Sequence, residues 1–113
     1  MLEQATQRWV CDHCSDTIED AKTGWFEWYN DENDVQTGFR IVHHDVKCMY
    51  NEQQLFKEGK LTKDMHLDYF VTSAGLEHLL EILERDEVKD KSEVSEMIKR
   101  IHVPGYEQRR FEE

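Results

Sequence analysis

The chain has 113 residues, 35% of them charged, and a formal net charge of −11. The acidic excess is spread along the chain, so its surface repels phosphate backbones and disfavours nucleic acid; it serves solubility first, and permits a basic partner or mimicry of nucleic acid. A hydrophobic fraction of 38%, with three Trp, four Tyr and five Phe, excludes a wholly disordered chain, and the length suits one domain over residues 1–113.

Residues 1–8 are polar and predict a frayed start. They carry no basic-then-apolar leader pattern, and no apolar run reaches the ~20 residues of a membrane span, so a soluble cytoplasmic protein is expected. Three cysteines, an odd number, cannot complete an intramolecular disulfide framework. In a reducing compartment, metal ligation accounts for them better.

Trp9-Val10 predicts a short strand that enters the knuckle Cys11-Asp12-His13-Cys14. A two-residue gap lets both sulfurs reach one ion while neighbouring N–H groups face the thiolates. The turn-rich stretch 15–23 offers only Ile18 as an anchor. Gly24-Trp25-Phe26-Glu27-Trp28-Tyr29 has strong strand propensity, and Asn30–Asp34 breaks it. Gly38–His43 resumes as a second strand, giving an antiparallel hairpin. Alternation puts Phe39, Ile41 and His43 on one face and Arg40, Val42 and His44 on the other. It likewise separates Trp25, Glu27 and Tyr29 from Phe26 and Trp28. Helices are expected to cover one of these faces and the irregular 49–65 segment the other.

The hairpin returns to the knuckle with His43, His44 and Cys48. Cys11, Cys14, His44 and Cys48 are the favoured metal ligands, with His43 as alternate and His13 as an outsider. His44 is preferred because His43 shares a face with the apolar Phe39 and Ile41. Four thiolate or imidazole ligands suit a structural Zn²⁺ and leave no position for water.

Residues 49–65 are hard to assign, with Leu55 and Phe56 pinning a short turn or helix that Gly59 ends. His66–Val71 is apolar enough for a buried short helix or strand. Thr72 or Ser73 caps a helix striped by Leu76, Leu79, Leu80 and Leu83. Ser92 caps a second, striped by Val94, Met97, Ile98 and Ile101 and ended by Val103-Pro104-Gly105. Tyr106 and Phe111 are expected to fold back as anchors. Lys99, Arg100, Arg109 and Arg110 form the one basic concentration and predict a solvated helix face. His66, His78 and His102 are scattered and predict no site.

The expected class is α+β: a zinc-stapled N-terminal antiparallel hairpin region over 9–50, packed against two or three helices over 66–111. Saturated coordination points to a non-enzymatic module that binds another protein. Two other readings compete with it. His43-His44-Asp45 beside the knuckle suits a metal-dependent nuclease of the ββα-metal type, in which one histidine activates water and Mg²⁺ is held nearby, but the chain lacks a basic groove. A nucleic-acid-binding zinc module meets the same objection from charge.

The runs Trp9–Cys14, Gly24–Trp28, Gly38–His44 and Ile101–Glu107 together resemble small uncharacterised bacterial zinc-binding proteins of this layout. More coarsely, the knuckle and hairpin are similar to zinc-ribbon and treble-clef modules, although a second CxxC is lacking. The resemblance implies binding and scaffolding, in a regulator of bacterial or phage origin, rather than a reaction.

Overall fold

The computed structural model of the chain describes residues 7–110. The expected Phe111 anchor and residues 1–6 of the expected frayed start lie outside the described residues. The chain is α+β, with two antiparallel sheets. Two-residue strands β1 (Trp9–Val10) and β2 (Thr17–Ile18) pair around the knuckle. A 3₁₀ turn over Ala21–Thr23 leads into β3 (Gly24–Asn30), which pairs with β4 (Gln36–His43). A short helix α1 (Glu52–Lys57) precedes β5 (Leu61–His66), and the sheet order is β4-β3-β5.

β5 is a strand that sequence reasoning missed. Its residues Leu-Thr-Lys-Asp-Met-His alternate only weakly, because it is an edge strand with much of its surface exposed. It pairs with β3 through Trp25↔His66 to Asn30↔Leu61, while the apolar run after it turns into helix α2 (Leu67–Phe70). Two 12-residue helices follow, α3 (Ser73–Glu84) and α4 (Lys91–His102), and then the single turn α5 (Tyr106–Arg109).

One face of the sheet meets the helices. Phe26 lies opposite Ile41, and its ring sits 4.5 Å from that of Phe70. Trp28 stacks on Phe39 at 5.4 Å. Leu67, Leu79, Ile82, Val94, Met97 and Ile101 complete this core. Each such side chain contributes about 1.5–3 kcal/mol on burial. The opposite face carries Trp25, Glu27 and Tyr29, and Tyr50 closes over part of it, its hydroxyl donating to the Gly38 carbonyl at 2.7 Å. Arg40 lies 3.8 Å above the Tyr50 ring.

Helix α4 buries Val94, Met97 and Ile101 as expected, whereas α3 is turned relative to its expected stripe. In α3 the buried residues are Gly75, Leu79 and Ile82, while Leu80 is 39% exposed. Gly75 explains the rotation: a Cβ there would collide with the backbone of Phe70 and the carbonyl of Tyr69, so α2 rests directly on this glycine. Thr72 is the N-cap, accepting from the Gly75 amide. For α4 the cap is Asp90 rather than Ser92, one reason being that its carboxylate accepts both the amide and the hydroxyl of Ser92.

A larger correction concerns the basic cluster. Arg100 is 1% exposed, the opposite of a solvated helix face. It lies on the buried side of α4 with Val94, Met97 and Ile101, because two carboxylates and a carbonyl meet its guanidinium there.

Candidate metal centre

The β1–β2 pairing brings the chain back on itself, with Trp9 opposite Ile18 and Val10 opposite Thr17. Between them the Cys11 amide donates to Asp16 at 2.9 Å, and the Ser15 amide donates back to Cys11 at 3.0 Å. Ser15 takes a φ of 71°, the left-handed turn that closes the knuckle. The amides of His13 and Cys14 point at the Cys11 sulfur, at 3.4 and 3.5 Å. Asp12 ties the knuckle to β4: its amide donates to the Ile41 carbonyl at 2.8 Å, and its carboxylate accepts from the Ile41 amide at 2.8 Å.

The ligand atoms of Cys11, Cys14, His43 and Cys48 all lie within 4.8 Å of one another, near enough to hold one metal ion. A tetrahedral ion with bonds near 2.3 Å would draw its ligands to about 3.8 Å apart, a small contraction. His43 Nδ1 is 3.4 Å from the Cys14 sulfur and 3.8 Å from that of Cys48. Its Nε2 lies 3.1 Å from the Thr17 carbonyl, which can accept only from an N–H. That fixes the tautomer and leaves the Nδ1 lone pair facing the thiols, as a ligating histidine requires.

The geometry therefore places His43, not the favoured His44, with the three thiols. The facial assignment stands, since His43 lies opposite Gly24 on the side of Ile41 and Phe26. What the preference overlooked is that the knuckle itself sits on this face, at its end, so the inward histidine is the one it meets. His44 instead stacks on Trp25, with ring centroids 4.3 Å apart, and meets His66 edge-on at 4.8 Å. His13 is exposed at the knuckle tip and lends only its amide. His78 packs edge-on against Trp28, and His102 lies 2.7 Å from the Phe70 carbonyl. Neither joins a metal-holding group among the described residues.

Cys48 arrives by a turn in which its own amide donates to the Asp45 carbonyl at 2.8 Å and the Lys47 amide to the Asp45 carboxylate at 2.9 Å. From the other side, Arg40 donates to the Cys48 carbonyl at 2.9 Å and to the buried Glu27 at 2.7 Å, and Glu27 also accepts the Tyr50 amide. Burial holds the Glu27 carboxyl above its usual range despite these donors.

The four groups are electrostatically unequal. Burial pushes the Cys11 thiol up, but the backbone donors of Cys14, His13 and His43 outweigh it and bring the group down to about 6. Cys48 is pushed up to about 12, first by burial and then by sharing its site with the Cys11 and Cys14 sulfurs. Burial works against the His43 imidazolium, yet the Thr17 carbonyl and the Cys11 thiolate raise it above its ordinary value. A metal must displace the proton of Cys48, so its affinity rises with pH. We expect about a tenfold loss per pH unit for each proton displaced, on acidification from neutrality. Competition against a chelator at several pH values measures that slope, and a flat profile would contradict it.

Compared with protein-family models, curated proteins and solved structures, the chain matches none. No helix among the described residues is long and apolar enough to cross a membrane.

Proposed function

We propose that this is a small non-enzymatic zinc protein in which Zn²⁺ ties the knuckle to the end of the β3–β4 hairpin, and whose role is to bind another protein. The observation that carries the metal half is the convergence of three sulfurs and one oriented imidazole. Thiolate-rich sets of this kind favour zinc over magnesium or calcium, and four protein ligands make the ion structural.

The interaction half rests on β5. Its outer edge has no partner strand among the described residues, and Phe56 and Leu61 stand 69% and 54% exposed beside it. A cavity of about 490 Å³ runs along its other side, walled by Asp64, Glu81 and Glu87 as well as Lys63 and Arg85. An extended segment with apolar residues at alternate positions would add as a fourth strand, and the net charge of −11 would favour a basic segment over an acidic one.

The test titrates isotope-labelled zinc-loaded protein with a peptide of alternating lysine and valine. Salt-sensitive amide shifts concentrated on Leu61–His66 and Phe56 are expected. Absence of saturable shifts, or shifts scattered over the whole acidic surface, would overturn the docking edge.

A further inference from the structure

The C-terminal run Ile101–Glu107 closes on the knuckle although it lies at the far end of the sequence. Gly105, at φ 78°, makes the left-handed turn that sends α5 back under α4. This turn brings Glu107 to Arg100 in two parallel bonds, Nε to Oε1 and Nη2 to Oε2, each 2.8 Å. Glu107 is 2% exposed, so the pair is sealed from solvent.

The pair then reaches each residue around the first cysteine. Arg100 donates to the Asp12 carboxylate at 2.7 Å and to the Val10 carbonyl at 3.1 Å. Glu107 accepts the Val10 amide at 3.0 Å, and the Arg100 carbonyl accepts from the Trp9 indole at 3.2 Å. Residues 9, 10 and 12 are thus all bound to this clasp, and Cys11 is the one between them. Asp12 also holds Ile41, two residues before His43, so one carboxylate fixes the Cys11–Cys14 pair against the strand that carries the imidazole.

We propose that Asp12, Arg100 and Glu107 are positioning residues of the metal centre, so that metal affinity depends on a clasp drawn from the C-terminal end of the domain. This rests on the zinc reading above. The ligands contribute the donor atoms, whereas the clasp sets the distance between the knuckle and His43 before the ion arrives. Partners of this outer kind are worth 10–100-fold in metal affinity where they have been removed from other centres. The coupling is reciprocal, so the bound ion must tighten α5 by the same factor.

The experiment measures Zn²⁺ affinity by competition with a chromophoric chelator for the wild type, Glu107→Gln and Leu79→Ala. Glu107→Gln keeps the shape of the side chain but loses the charge that faces Arg100. It is expected to weaken zinc by about 10–100-fold. Leu79→Ala is a core truncation in α3 away from the clasp and is expected to lower the melting temperature with affinity unchanged. Asp12→Asn serves where Glu107→Gln folds poorly, because it keeps an acceptor for the Ile41 amide and loses only the ion pair. Amide exchange at Arg109 should slow on zinc loading in the wild type. A wild type that binds zinc as tightly as its clasp variants do would overturn the positioning role alone. A wild type that binds no zinc would overturn the metal reading itself.

Discussion

Cys11→Ser is expected to abolish metal binding and lower the melting temperature by at least about 10 °C. Cys11 is 1% exposed, receives two amide donors on its sulfur and carries the lowered thiol of the set, so it supplies the thiolate formed before any metal arrives. A serine oxygen in its place is a poor ligand for a soft site, so the set loses its preformed thiolate and keeps three strong donors. Structural zinc contributes on the order of 10 kcal/mol in small domains that are unfolded without it. Here the sheet and helices share a core of their own, so several kcal/mol is the appropriate scale, at about 4 °C for each. The β1–β2 ladder has only two residue pairs and should open first. Thermal melts of the variant and of the chelated wild type should coincide, and metal analysis should find the variant empty. A variant that retains stoichiometric metal would contradict the assignment of Cys11.

Arg100→Met is the second large effect, an expected loss of about 3–5 kcal/mol. The methionine fills much of the same volume, but it strands Glu107, which is buried and, among the described residues, keeps Arg110 as its one cationic partner. Asp12 is less affected, since its side chain is 25% exposed and water can reach it. The cost is therefore mostly that of an uncompensated carboxylate, and Arg100→Met with Glu107→Leu should recover much of it. Denaturant midpoints for the single and double variants measure the difference. Acid acts on the same pair. Burial alone would raise Glu107, but Arg100, the Val10 amide and Arg110 hold it below its ordinary 4.5. Its contribution to stability is therefore present above about pH 4.5 and is lost as pH falls through the lowered folded value.

What the sequence made legible follows from how local each signal is. Strand β3 and most of β4 announce themselves through Trp25–Tyr29 and Phe39–Val42, and the knuckle through a fixed two-residue gap. The Thr72 cap of α3 and the stop of α4 at Val103-Pro104-Gly105 are similarly local, whereas the cap of α4 is Asp90 and not the expected Ser92. β5 was obscured because an edge strand needs apolar residues on only part of its surface, and Lys63 and Asp64 have low strand propensity. The His43 against His44 choice turned on a non-local fact, the face on which the knuckle docks. Arg100 was misjudged for the same reason: its position on α4 is fully compatible with solvent until Glu107 and Asp12, at separations of 7 and 88 residues, are brought to it. One signal could have flagged it. Arg100 falls three residues after Met97, on the flank of the apolar stripe rather than opposite it.

X-ray absorption at the zinc edge on the purified protein tests the central claim most directly. Three sulfur ligands and one nitrogen ligand are expected, with the imidazole scattering lost in His43→Ala and retained in His44→Ala. An oxygen-rich shell, fewer than three sulfurs, or an imidazole signal that disappears with His44 instead would contradict it.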